Sequence, residues 1–216
     1  MKLNRIDCSS INNHIELDES DICLYWCEYT ARQGYDYSPT NQLILNLKKS
    51  VSLKAHEQYS YKIQAIKTCA SYFQYIDWSP FSIIPIPPSK KRTDPLYDDR
   101  LIRVLNSANE LLPLKFRFDI KDIVIQNESY EPSHHSSKRP SCQELKTRYQ
   151  LEKININHFR NKIVIFDDVL TMGSHFKAVK SLLQDTYPDK KIYGLFIARS
   201  IYPPISDYFE NLPEQY

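Results

Sequence analysis

Apolar residues fall into two rhythms along this chain. Short continuous runs occur at Phe81 to Ile86, Ile123 to Ile125, Ile163 to Phe166 and Tyr193 to Ala198. Runs this short, bounded by polar or proline-containing stretches, predict buried strands. Between them the spacing turns helical. About 55–76 carries Ile63, Ile66, Ala70, Phe73 and Ile76 on one face. Leu101, Val104, Leu105, Ala108, Leu111 and Leu112 mark a second helix, and Phe176, Val179, Leu182 and Leu183 a third over 174–184. Leu43, Ile44, Leu45 and Leu47 form a further short apolar run. Ser141-Cys142-Gln143-Glu144 is a capping-box pattern and predicts a short helix starting there. Residues 1–40, 127–140 and 200–216 are polar or weakly periodic. Strands alternating with helices predict an α/β fold with a mostly parallel central sheet and helices on both faces. Ligands of such sheets bind outside the carboxyl ends of the strands. That rule gathers the Pro87–Arg92, 127–140 and Asp167–His175 loops on one rim.

One segment joins these elements to chemistry. In KIVIFDDVLTMGSHFKAVKSLLQ, Lys162 to Gln184, an apolar strand meets two carboxylates, Asp167 and Asp168. A turn, Val169 to Ser174, follows and holds one of only three glycines in the chain. It opens directly into a helix, whose first turn offers unpaired backbone N–H groups and a positive dipole end to a phosphate. Carboxylates just beyond the strand would accept hydrogen bonds from two neighbouring hydroxyls. A ribose carrying a 5′-phosphate presents both features.

The segment resembles the phosphoribosyl pyrophosphate (PRPP) motif of the type I phosphoribosyltransferases: apolar strand, acidic pair, then a Thr-Gly turn. The resemblance implies that fold, with a small variable hood. It implies that Asp167 and Asp168, as catalytic residues, hold the ribose 2′ and 3′ hydroxyls. It also implies that Thr171, Met172, Gly173, Ser174 and His175 form the loop for the 5′-phosphate. Two positions depart from the motif. Met172 stands where a Thr is usual, and His175 stands where a Thr or Ser hydroxyl usually meets the phosphate. An imidazole can donate one hydrogen bond there or carry charge.

The remaining expectations follow the same likeness. A pyrophosphate loop comes at the position of Pro87-Pro88-Ser89-Lys90-Lys91-Arg92, with Ser89, Lys90 and Arg92 as contacts. A mobile loop that closes over PRPP comes at 127–140, with Lys138 and Arg139 reaching the pyrophosphate. Mg2+ is expected with PRPP, bound through it rather than by protein ligands. Lys48-Lys49 before a helix, Ile84-Pro85-Ile86-Pro87, and Gln143-x-Leu145-x-x-Arg148 are most similar to the layout of competence protein ComF-like phosphoribosyltransferases. Tyr97-Asp98-Asp99-Arg100 resembles the helix start that follows the pyrophosphate loop there. Thr171, where purine salvage members usually carry Asp, argues against hypoxanthine or guanine as acceptor. The implied division is 1–40 as an N-terminal extension or hood segment and 41–216 as the phosphoribosyltransferase-like domain.

Composition narrows the alternatives. A chain of 216 residues suits one domain with a small appendage. A net charge of +2 does not demand nucleic acid, although Lys90, Lys91, Arg92, Lys138 and Arg139 keep it as a weakly supported partner. No stretch reads as a membrane span or a signal peptide, and five scattered cysteines suit a reducing compartment, so a cytoplasmic protein is expected. Cys8, Cys23 and Cys27, even with His14, lack the spacing of a zinc site. The expected function is PRPP or nucleotide binding, with transfer of phosphoribosyl to a nitrogen acceptor and release of pyrophosphate. The alternative is a non-catalytic PRPP- or nucleotide-sensing module, or a partner-binding module, of a DNA-uptake, defence or regulatory system. Aromatic residues near both ends (Tyr25, Trp26, Tyr29, Tyr35, Tyr37, Tyr202, Tyr208 and Tyr216) would then contact a protein partner.

Overall fold

The computed structural model describes residues 2–130, 140–152 and 158–203. Among them, six strands form a central sheet in the order β1-β2-β8-β7-β3-β4. These are β1 (Asn4–Arg5), β2 (Cys23–Thr30), β3 (Phe81–Pro85), β4 (Asp119–Ile120), β7 (Lys162–Leu170) and β8 (Lys191–Ile201). Only the β1–β2 pair is antiparallel; β2–β8, β8–β7, β7–β3 and β3–β4 all run parallel. A separate antiparallel pair joins β5 (Val124–Gln126) to β6 (Tyr149–Leu151). The chain is therefore α/β with a mostly parallel mixed sheet.

Helices cover both faces of that sheet. On one side α1 (Pro39–Leu47), α2 (Tyr59–Ser71) and α3 (Arg100–Leu111) pack against Ile83, Val164, Phe166, Leu195 and Ile197. An aromatic cluster built around Phe73, with Trp26, Trp78, Phe118 and Phe166 at centroid distances of 5.0 to 5.6 Å, fills this layer. On the other side α4 (Cys142–Arg148) and α5 (Ser174–Thr186) pack against Cys23, Ile84, Ile163, Ile165 and Phe196. Buried on both faces, the parallel strands read as continuous apolar runs rather than as alternating ones.

Local chemistry explains where the helices begin. Ser38 accepts a hydrogen bond from the Asn41 amide, and Pro39 supplies a first-turn residue needing no N–H acceptor. The capping box expected at Ser141 is present, with Ser141 and Glu144 satisfying each other's backbone amides. Asn41 is fully buried and exchanges two 3.0 Å hydrogen bonds with the Thr30 backbone, fixing α1 against the end of β2.

Several elements differ from the sequence expectation. Residues 1–40 supply β2, an interior strand of the main sheet, so this stretch is built into the core. Its alternation is hidden because Cys23, Tyr25 and Trp26 are all buried. Tyr25 and Trp26 are thereby removed from any partner surface, whereas Tyr37 and Tyr202 are exposed. The run at 123–125 is a strand, but of the small antiparallel sheet. β7 runs on to Leu170, so Asp167 and Asp168 lie within the strand, not just beyond it. Along α2 the buried stripe is Tyr59, Lys62, Ala65, Ile66, Cys69 and Ala70, with Ile63 outward. Leu111 is likewise exposed at the end of α3. No helix among the described residues is long and apolar enough to cross a membrane.

Candidate functional site

The carboxyl ends of β3 and β7 open into a cavity of about 480 Å³. Its floor is the end of β7 and the turn into α5, contributing Asp167, Asp168, Thr171, Met172, Ser174 and His175. The facing wall is the loop after β3, with Pro87, Pro88, Ser89 and Lys90. Lys48 and Ser50 enter after α1, Arg100 from the start of α3, and Tyr130 from the segment after β5.

The turn is shaped by its glycine. Gly173 is the N-cap of α5 at φ 96°, a left-handed conformation that residues with a Cβ rarely adopt. A Cβ there would also stand 2.8 Å from Leu17 Cδ2. Gly173 has no side chain to cap this helix, and the Lys177 amide makes the first bond back to the Gly173 carbonyl. The amides of Ser174, His175 and Phe176 therefore lack intrahelical acceptors. The N-terminal segment braces the turn from behind. The Glu16 amide donates to the Met172 carbonyl at 3.0 Å, and the fully buried His14 contacts the Thr171 carbonyl through Nδ1. Sequence spacing had set His14 aside as a possible metal ligand; its partner is the backbone of this turn.

The pleat sends the two carboxylates to opposite faces of the sheet. Asp168 turns toward α1 and α3. Its Oδ2 accepts from Arg100 Nε at 2.9 Å and from Arg100 Nη2 at 2.6 Å, and its Oδ1 pairs with Lys48 Nζ at 3.0 Å. Burial opposes its charge, but Lys48 and Arg100 outweigh burial and hold the carboxyl far below the usual carboxylate range. Asp167, half-buried on the cavity side, has no such cation among the described residues. Burial first, and the neighbouring Asp168 charge second, push it up to about 7. Its Oδ1 accepts from the Asp168 amide at 2.7 Å.

Behind Asp168 lies a charge that the apolar pattern concealed. Lys62 is completely buried, and its ammonium donates to the Leu47 carbonyl (2.9 Å), the Lys49 carbonyl (2.7 Å) and Asp98 Oδ2 (2.7 Å). Asp98 in turn pairs with Arg100 at 3.0 Å. Lys62, Asp98, Arg100, Asp168 and Lys48 thus form one connected ion network. The signal in the sequence was a lysine at i−3 and i−4 to Ala65 and Ile66, on the apolar stripe itself.

The pyrophosphate-loop candidates separate. Ser89 and Lys90 line the cavity. Ser89 also accepts from the Tyr130 amide at 3.0 Å, tying the loop to the segment after β5. Arg92 turns away to the small sheet, where it pairs with Asp122 and with Glu152, each at 3.0 Å. Lys138 and Arg139 lie outside the described residues. Among the described residues, no group of three or more His, Cys, Asp or Glu is arranged to hold a metal ion.

His175, the departure from the expected turn, sits at the cavity's inner edge. Burial pushes its imidazole down to about 4, so it is neutral at physiological pH. Its Nδ1 lies 2.5 Å from the hydroxyl of Tyr149, a buried residue at the start of β6.

No family model matches the chain, and no curated protein matches it.

Proposed function

We propose that this protein binds PRPP or a related ribose 5-phosphate compound in the β3–β7 cavity, with the architecture of a type I phosphoribosyltransferase. The observation that carries the reading is the uncapped α5 N-terminus behind a left-handed glycine, directly beside Asp167 at the end of a parallel strand. The amides of Ser174, His175 and Phe176 would anchor the 5′-phosphate. Asp167 would accept from the ribose hydroxyls. Asp168, already gripped by Lys48 and Arg100, would contribute fixed negative charge below the sugar. Ser89 and Lys90, which line the same cavity, would contact the pyrophosphate.

Transfer would place a nitrogen nucleophile opposite the departing pyrophosphate, with the carboxylate charge favouring a cation-like ribose. Mg2+ bound through the ligand's own oxygens would neutralise the leaving group. Because Arg92 is committed to Asp122 and Glu152, the cationic wall for pyrophosphate is thin among the described residues. That observation favours, as the second reading, a module that binds PRPP or a nucleotide without turnover.

Calorimetric titration with PRPP and Mg2+, beside ribose 5-phosphate, AMP and GMP, tests the reading. Micromolar PRPP binding that is lost in Gly173→Val and weakened in Asp167→Ala is expected. Absence of binding by every one of these ligands refutes it. Pyrophosphate release with added bases separates the enzyme from the sensor.

A further inference from the structure

His175 poses a chemical problem that its surroundings solve. A neutral imidazole carries a single N–H. If that proton sits on Nδ1, the cavity-side nitrogen is a bare lone pair that repels phosphate oxygens. If it sits on Nε2, the ring is a donor. The choice is made by whatever Nδ1 contacts.

Nδ1 contacts the Tyr149 hydroxyl. Tyr149 is 4% exposed, so its O–H proton needs an acceptor inside the protein. The surroundings give that hydroxyl a direction. Tyr130 lies beside it, and the Arg148 guanidinium stacks 4.5 Å from the Tyr130 ring and adjoins its hydroxyl. A guanidinium can only donate, so Arg148 offers neither hydroxyl an acceptor. Of the acceptors beside Tyr149, a neutral imidazole nitrogen is stronger than a phenol oxygen, which directs the Tyr149 proton to Nδ1. Among the described residues the ring's hydrogen bond is the one at Nδ1, and His175 lines the cavity. The charged groups that act on the ring are Asp168, Lys48 and Arg148.

We propose that Tyr149 is a positioning residue for His175: by donating to Nδ1 it fixes the Nε2–H tautomer and makes the imidazole a neutral donor to the phosphomonoester end of the ligand. The inference rests on the ribose 5-phosphate reading and assigns the part that a hydroxyl plays in the resembled motif. It also suits a half-buried ring, because a neutral donor needs no counter-ion when the site is empty.

Two measurements on the full-length chain test it. The ligand-free protein is examined by 15N-correlated NMR of the histidine rings. The Nε2–H form is expected for His175 in the wild type, and a redistribution toward Nδ1–H in Tyr149→Phe. Ribose 5-phosphate affinity is then measured across a double-mutant cycle. Tyr149→Phe should weaken binding about tenfold, the cost of one misdirected hydrogen bond to a charged group. In a His175→Gln background, whose amide donor does not depend on Tyr149, the same change should cost less than about twofold. An unchanged tautomer, or an equal loss in both backgrounds, overturns the positioning role. Wild-type protein that binds no ribose 5-phosphate overturns the ligand assignment together with it, while the tautomer spectrum still reports on the Tyr149 bond alone.

Discussion

Lys62→Met isolates the most consequential buried group of the fold. The substitution nearly preserves side-chain length and removes only the ammonium. Three partners lose their donor: the carbonyls of Leu47 and Lys49, and Asp98 Oδ2. Leu47 is fully buried, so its carbonyl gains no water in exchange. Breaking a buried ion pair from one side costs about 3–5 kcal/mol, and an orphaned buried carbonyl about 1–3 kcal/mol. Asp98 offsets part of this, because it keeps Arg100 at 3.0 Å and its side chain remains 14% exposed. Burying the methionine thioether in place of the ammonium offsets more. The expected loss is about 3 kcal/mol, a fall of roughly 6–12 °C in Tm for a domain of this size.

Urea unfolding followed by tryptophan fluorescence measures it, since Trp26 and Trp78 are both buried beside α2. Hydrogen exchange locates it, with faster exchange expected for the amides of Lys48 and Lys49 at the end of α1. A loss below about 1 kcal/mol, with those amides unchanged, would refute the reasoning. It would mean that desolvation of the ammonium costs as much as its three bonds return.

Three further outcomes are expected. Asp167 has a raised pKa in the folded chain, so its share of stability is fully present below its ordinary value near 4 and is lost as pH rises to about 7. Asp167→Asn should abolish that decline and leave the protein about 1–3 kcal/mol more stable than wild type at pH 8, as read by denaturation at pH 5 and pH 8; equal pH slopes in both proteins would contradict the assignment. Gly173→Ala should destabilise by about 2–3 kcal/mol, because its left-handed φ costs about 1–2 kcal/mol and its Cβ meets Leu17, and a thermal melt within 2 °C of wild type would count against the bracing of the turn. Native thiol titration should show Cys8 reacting fast while Cys23 and Cys69, buried and with thiols pushed up by burial, react only on unfolding.

What the sequence made legible divides along physical lines. The strand–acid–turn–helix segment was readable because adjacent residues carry every part of it, and β3, β7, α3 and α5 follow periodicities that burial enforces. β2 was not readable. An interior strand of a parallel sheet is covered on both faces and does not alternate, and this one carries Glu28 outward at the same end where Tyr25 and Trp26 are buried. On α2 and just after it the expected Ile66, Ala70 and Phe73 are buried, and the one position misread is Ile63, for a related reason. Ile63 outranks Lys62 on any hydrophobic scale, and only the carbonyls left at the end of α1, together with Asp98, make burial of the lysine tolerable. Arg92 and Lys90 were indistinguishable as neighbours in a basic loop. Their separation depends on Asp122 and Glu152, which lie 30 and 60 residues away in sequence.

The same reasoning shows why the acidic pair must be tested one residue at a time. Adjacent residues on a strand face opposite ways, so the two carboxylates occupy different electrostatic settings only one peptide apart. Asp168 is bound into a network whose far end is Lys62; removing its charge takes the carboxylate from Lys48 and leaves Arg100 with Asp98 alone, at about 3–5 kcal/mol. A double substitution of Asp167 and Asp168 would therefore lose ligand binding through unfolding as readily as through lost contacts. Asp167 has no cation paired to it among the described residues, lines the cavity, and is pushed up by burial and by the Asp168 charge. Its substitution changes the cavity-facing charge while the network behind it stays closed, which makes Asp167 the residue whose loss reports on the site rather than on the fold.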